Sequence, residues 1–255
     1  MSEHISITIQ DRILAIHMQR PEKKNALTRE MYLGMNQALQ QADADSGVRV
    51  ILITGTQDCF TAGNDLVDFA NARPGETSPA ILYLQTLAAA KKPIVAAVSG
   101  FAVGIGTTML LHCDLVYADS TARFQLPFVN LGLCPEAGSS VILPALMGQR
   151  RAAELLYLGE PFNAEKARAL GIVNEVLAEN TVLDTALAKA RQLAEKPPSA
   201  LRTTKMLLKH ATASSIADAM ARETKQFAAL LQGPEAKEAM GAFLERRKPD
   251  FSKLS

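Results

Sequence analysis

The sequence predicts an α/β protein, on three observations. The runs at 48–54 and 94–98 are almost wholly apolar, as strands covered on both faces must be. Helical patterns separate these runs instead of tight turns. Past Gly138 the character changes, and helical periodicity dominates to the end of the chain.

Each element has its own signal. Residues 5–9 and 12–18 are β-branched or apolar runs joined by Gln10-Asp11, which predicts a hairpin. Thr28 is an N-cap candidate, followed by Met31, Met35, Ala38, Leu39 and Ala42 at helical spacing. The strand at 48–54 closes at Gly55, and a loop, C-F-T-A-G-N-D-L, follows. A helical stretch then runs to about Ala90, broken at Arg73-Pro74-Gly75. After the strand at 94–98, residues 104–111 begin a helix, and 113–117 and 122–125 read as strands.

The later helical patterns fall at 150–158, 164–170, 182–195, 201–209, 216–231 and 235–246. Within 182–194 one face collects Val182, Leu183, Ala186, Leu187, Ala190, Leu193 and Ala194. Lys196-Pro197-Pro198 ends that helix and marks the best boundary. The expected organisation is an α/β core over 1–195 and a helical segment over 196–255.

Composition narrows the function classes. A chain of 255 residues, 48% hydrophobic and 21% charged, buries a sizeable core. A net charge of +1 provides no broad basic surface for nucleic acid or anionic membrane. Cys59, Cys113 and Cys134 lack C-x-x-C spacing, and the four histidines are scattered, so no metal site is expected. Reduced thiols and an N-terminus without an export signal point to the cytoplasm. The S-K-L near the end is followed by Ser255, so it is no peroxisomal address. The 19 uncharged residues at 93–111 contain three glycines and divide into a strand and a helix, against a bilayer span.

Several nucleotide and hydrolase motifs fail. Gly104-Ile105-Gly106 follows a strand, but Met109 stands where a dinucleotide fingerprint needs its third glycine. No Gly-Lys-Ser/Thr exists for a P-loop, and Gly138-Ser139-Ser140 is not a nucleophile elbow. Gly63, Gly104 and Gly106 have a different use, since a missing side chain lets backbone N–H groups approach a ligand. The second pair also opens a helix, whose N-terminus favours developing negative charge. In L-G-L-C-P-E-A-G-S-S at 131–140, Glu136 is either a helix-start acid or a working group in an apolar pocket.

Five stretches match one family together: R-P-E-K-K-N-A-L, F-T-A-G-N-D-L-V-D, V-S-G-F-A-V-G-I-G-T-T-M-L-L-H-C-D, F-Q-L-P-F-V-N-L-G-L-C-P-E-A-G-S-S and M-G-A-F-L-E-R-R-K-P-D-F. In this order and spacing the chain resembles the crotonase (enoyl-CoA hydratase/isomerase) superfamily over nearly its whole length. The resemblance implies a spiral of repeated ββα units and a C-terminal helical segment that assembles trimers, often paired into hexamers. It implies an acyl-CoA substrate, with coenzyme A part of that substrate and no separate cofactor. It also assigns the oxyanion donors to the N–H groups of Ala62 and Ile105. Coenzyme A contacts are implied at Ala62, Gly63, Asn64, Asp65 and Leu66, beside Gly104 and Gly106, with Lys23 and Lys24 near the phosphates. Phe243 and Arg246 would reach a coenzyme A held by a neighbouring subunit.

The departures from the family matter as much. Its hydratases hold water between two glutamates, and this chain has Thr108 and Phe128 at those positions. Neither side chain is a carboxylate base, so weak or absent hydration is expected. Glu136 lies where the Δ3,Δ2-enoyl-CoA isomerases carry their sole glutamate, and Phe128, Leu131 and Leu133 would make its pocket apolar. Dienoyl-CoA and ring-modifying isomerases usually show an aspartate at that position, and they remain the alternative. A non-catalytic CoA-thioester binder is the reading from another class.

Overall fold

The computed structural model describes residues 2–70, 78–252 and 254, and the expected break at Arg73-Pro74-Gly75 lies outside them. Strands β1 (Ile5–Gln10) and β2 (Ile13–Met18) form the predicted hairpin, with Ile5 opposite Met18. Its turn is Asp11-Arg12, one residue later than expected, because Gln10 still pairs with Ile13. Both turn residues take positive φ, 52° and 64°, the backbone that a two-residue hairpin turn demands.

Successive strands then go to two sheets by turns. β3 (Val50–Thr54), β5 (Ile94–Val98) and β7 (Leu115–Asp119) join a six-stranded sheet in the order β1-β2-β3-β5-β7-β10, where β10 is Glu175–Leu177. β4 (Cys59–Thr61), β6 (Phe101–Val103) and β8 (Arg123–Gln125) follow them one for one. They form a second sheet that ends in β9 (Phe162–Asn163). Apart from the β1–β2 and β8–β9 pairs, all these pairings are parallel. The first turn puts both β1 and β2 in the six-stranded sheet before α1 (Arg29–Ala44). From β3 onward each turn lays one strand in each sheet and closes with helical structure, α2 (Leu66–Ala70) with α3 (Pro79–Ala89) after β4 and α4 (Ile105–Thr108) after β6. This is the repeated ββα spiral.

Side-chain alternation explains the layers. In β3, Ile51 and Ile53 face a large core shared with α1 and α3, while Val50 and Leu52 face the other way. That second face is covered by α8 (Val182–Ala194), which presents Val182, Ala186, Ala190 and Ala194 at four-residue intervals, all buried. α1 starts where Thr28 accepts a hydrogen bond from Met31 N–H at 3.3 Å, as its N-cap pattern predicts. The uncharged run at 93–111 becomes β5, β6 and α4, and among the described residues no helix is long and apolar enough to cross a membrane.

Three expectations change. The patterns at 201–209 and 216–231 are one helix, α9 (Pro198–Leu231), 34 residues long. The intervening H-A-T-A-S-S holds no glycine or proline to stop it, and Thr212 Oγ1 donates back to Lys209 O at 3.4 Å. The helix expected over 104–111 is α for only four residues and 3₁₀ over Met109–His112. Between β8 and β9 lie α5 (Ser139–Met147), which the sequence did not signal, and α6 (Gln149–Leu158). α7 (Ala164–Ala169) follows β9, and α10 (Pro234–Leu244) ends the chain's regular structure.

Candidate active site

Two parallel neighbours, β4 and β6, release their loops at the same end, where functional groups collect in parallel sheets. The loops approach so closely that glycine is required. A β-carbon on Gly63 would lie 2.8 Å from Val103 O, and one on Gly106 would lie 2.7 Å from Thr61 Cγ2. Gly63 also has φ of 91°, which side-chain-bearing residues rarely adopt.

The free backbone donors are not the pair the resemblance implied. Ala62 N–H donates to Lys24 O at 2.9 Å, so it is not available to an oxyanion. The reason lies in the first motif, where Lys24 and Asn25 take positive φ and press their turn against β4. Asn25 is fully buried, donates from Nδ2 to Cys59 O at 2.7 Å, and accepts Thr61 Oγ1 at its own carbonyl at 2.6 Å. Gly63 N–H is satisfied by Thr61 Oγ1, and Asp65 N–H by Leu27 O. Among the described residues, the N–H groups of Asn64 and Ile105 meet no protein acceptor. Asn64 therefore replaces Ala62 in the expected pair, and Ile105 stays.

The rest of the loop is braced. Asp65 binds Arg20 Nη1 at 2.7 Å and accepts the N–H groups of Val67 and Asp68 at 3.1 Å, fixing the start of α2 at Leu66. Lys24 Nζ sits 5.0 Å from the centre of the exposed Phe101 ring, a cation–π contact at the rim. Phe243, on the last turn of α10, and Arg246, just past it, are exposed, and among the described residues no hydrogen bond joins either side chain to the loops around Glu136.

Glu136 is half-buried on the turn before α5. Its carboxyl accepts a hydrogen bond from the hydroxyl of Thr108, which is fully buried on α4. Burial pushes the carboxyl up to about 7, Glu223 adds to the rise, and the Thr108 hydroxyl opposes it. The helix-start role belongs to another residue. Glu223, from α9, accepts Gly138 N–H and Ser140 N–H at the mouth of α5, so the Glu136 carboxyl is not the group that caps this helix. Phe128 and Leu133 are buried in the core beneath this turn, and Leu131 packs against that core.

Two further residues were missed in the sequence. Tyr32 is 3% exposed, and its hydroxyl donates to Asn64 Oδ1 at 2.6 Å. Burial first, and Glu136 second, push its phenol well up, which places it electrostatically beside that carboxyl. The signal was a tyrosine on the buried face of α1, since a buried phenol needs a partner. His112 approaches Ala137 O with Nε2 at 2.8 Å, and burial pushes its basicity down to about 4. It is therefore neutral near pH 7, and the carbonyl partner assigns the proton to Nε2.

The comparison that decides the family is a match to the enoyl-CoA hydratase/isomerase profile over residues 8–253. The chain belongs to the enoyl-CoA hydratase/isomerase family. Within that family it is 34% identical to the 2,3-dehydroadipyl-CoA hydratase of Escherichia coli K12, over 98% of this chain and 99% of that one. It is 38% identical to enoyl-CoA delta isomerase 2 of Rattus norvegicus, over 82% of this chain and 55% of that longer protein. Among solved family structures, the enoyl-CoA hydratase/isomerase of Pseudoalteromonas atlantica T6c superimposes with a TM-score of 0.93 at 38% identity, covering 98% of this chain and all of that one. Pseudomonas aeruginosa OdaA gives 0.94 at 46% identity, over 96% of this chain and all of that one. The crotonase-like fold and membership of a hydratase/isomerase enzyme family are thus established, with relatives named for both activities.

Proposed function

We propose that the chain is a Δ3,Δ2-enoyl-CoA isomerase with Glu136 as its single base. The observation that carries this reading is the Glu136 carboxyl, held by Thr108 and raised to about 7, with no second carboxylate among the described residues free to hold water beside it. Its nearest acidic partner, Glu223, has both oxygens engaged by backbone N–H groups. Thr108 and Phe128 occupy the positions where the family's hydratases carry their glutamates.

The proton path then follows. Glu136 removes a proton from C2 of a 3-enoyl-CoA, and the electron pair moves onto the thioester oxygen. The N–H groups of Asn64 and Ile105 stabilise the resulting dienolate, as backbone donors without other partners can. The carboxylic acid returns the proton at C4, and the double bond moves from C3–C4 to C2–C3. A carboxyl with a midpoint near 7 both accepts and gives up the proton efficiently. Only protons move, so the reaction calls for no cofactor beyond the coenzyme A of the substrate. Lys24, the 62–66 loop and, from another subunit, Phe243 and Arg246 would hold that coenzyme A, in a homotrimer or hexamer.

One experiment tests the assignment: 3-enoyl-CoA, 2-enoyl-CoA and dienoyl-CoA substrates supplied in parallel to the purified protein. Isomerisation of the first with slow hydration of the second is expected. Fast hydration of crotonyl-CoA would overturn the single-base reading, and turnover of the dienoyl substrate alone would move the protein to the alternative isomerase class.

A further inference from the structure

Glu223 is 7% exposed and meets a turn 85 residues earlier in the chain. Its Oε2 accepts Gly138 N–H at 2.6 Å and its Oε1 accepts Ser140 N–H at 2.9 Å. That turn needs holding, because Ala137 and Gly138 have φ of 62° and 73°, and the left-handed backbone is strained at an alanine. His112 grips it at Ala137 O, and Ile216 and Met220 of α9 crowd Gly138 within 3.4 Å of where a β-carbon would stand. We propose that Glu223 is a positioning residue for Glu136, clamping the turn that carries it and setting a second negative charge beside it. The inference rests on the reading of Glu136 as the base.

The groups around Glu136 make the charge count. Thr108 faces it from α4, Tyr32 from α1, Glu223 from α9 and Cys134 from its own turn, while the neutral His112 holds the next carbonyl. None of these carries a positive charge at neutral pH, so nothing among them offsets the Glu223 carboxylate. A like charge in a buried site favours the protonated form of its neighbour. The clamp therefore fixes where the carboxyl points and holds it in the range where it both takes and returns a proton.

The test is Glu223→Gln in the full chain, which keeps one acceptor and removes the charge. A carbon-13 titration of the glutamate carboxyls, with Glu136→Gln assigning the signal, reads the Glu136 midpoint without any substrate. The midpoint is expected to move to lower pH in Glu223→Gln, the acid limb of kcat/KM for 3-enoyl-CoA to move with it, and kcat to fall about tenfold with KM little changed. An unmoved midpoint overturns the proposal, even if the melting temperature falls, since a purely structural cap would lower stability alone. Should Glu223→Gln fail to fold, Glu223→Asp keeps the charge but shortens the reach. A wild-type kcat in that variant overturns the clamp, and a lowered kcat with the midpoint retained supports it. Full turnover by Glu136→Gln would instead sink the base assignment and leave the midpoint result standing by itself.

Discussion

Glu136→Gln keeps the size and one acceptor of the glutamate but takes no proton from C2. Turnover of 3-enoyl-CoA should fall by ~10²–10⁴, or about 3–5 kcal/mol in the barrier. Acyl-CoA affinity should hold, because the expected oxyanion donors are backbone N–H groups, and in the wild type the acid limb of kcat/KM should lie near pH 7. Stability adds an independent readout. The folded Glu136 is raised from 4.5 to about 7, so the native state holds a proton that the unfolded chain has released, and stability falls as pH rises through this window. His112, lowered from 6.5 to about 4, works in the opposite sense, with stability rising as pH rises to about 6.5. Burial also lowers His17, which acts in the same sense as His112, so the melting temperature of Glu136→Gln should climb more steeply with pH than that of the wild type. The advantage of the variant should widen up to pH 8, and an advantage that shrinks with pH would contradict the raised carboxyl. At the neighbouring loop, Gly63→Ala drives a β-carbon against Val103 O at positive φ. A loss of about 1–3 kcal/mol, measured by urea unfolding, should accompany a larger loss of turnover than of folded protein.

Elements were legible in proportion to their length and regularity. α1, α8 and the strands β3 and β5 follow directly from cap, stripe and apolar run. β4, β6 and β10 have three residues each, too few to show a period, and their place comes from the spiral that stacks them. α9 read as two helices because its middle is polar, and its buried positions include Lys205 and Glu223, which no apolar stripe reveals. Lys205 donates to Lys92 O and Asp114, so that face is written in hydrogen bonds. The same limit explains the oxyanion pair: the glycine spacing marks the two loops, while the Lys24 carbonyl that takes up the Ala62 N–H lies 38 residues away. Thr28→Ala, by contrast, removes a cap that sequence and structure agree on. It should cost about 1 kcal/mol by thermal unfolding, and Thr28→Ser should restore most of it.

At the scale of the molecule, the single chain leaves apolar side chains exposed on both helices of its tail, α9 and α10. Met206, Leu207 and Leu208 on α9 are 55–78% exposed, and Phe243 and Leu244 on α10 exceed 60%. Light scattering at micromolar concentration should give the mass of a trimer or of a pair of trimers. Charged substitutions at Leu207 and Leu208 should lower that mass, whereas a monomer in the wild type would count against the assembly.

The reach of Glu223 back to residues 138–140 also sets an order of events in synthesis. All the described strands are complete by Leu177, so a nascent chain extended only that far already holds the material of both sheets. It does not yet hold the acceptor for Gly138 N–H, which emerges from the ribosome 85 residues after its partner. Until the late helix docks, the turn under Glu136 has its His112 and Thr108 contacts but not the Glu223 clamp, so the proposed base should reach its final position after the strands of both sheets have been made.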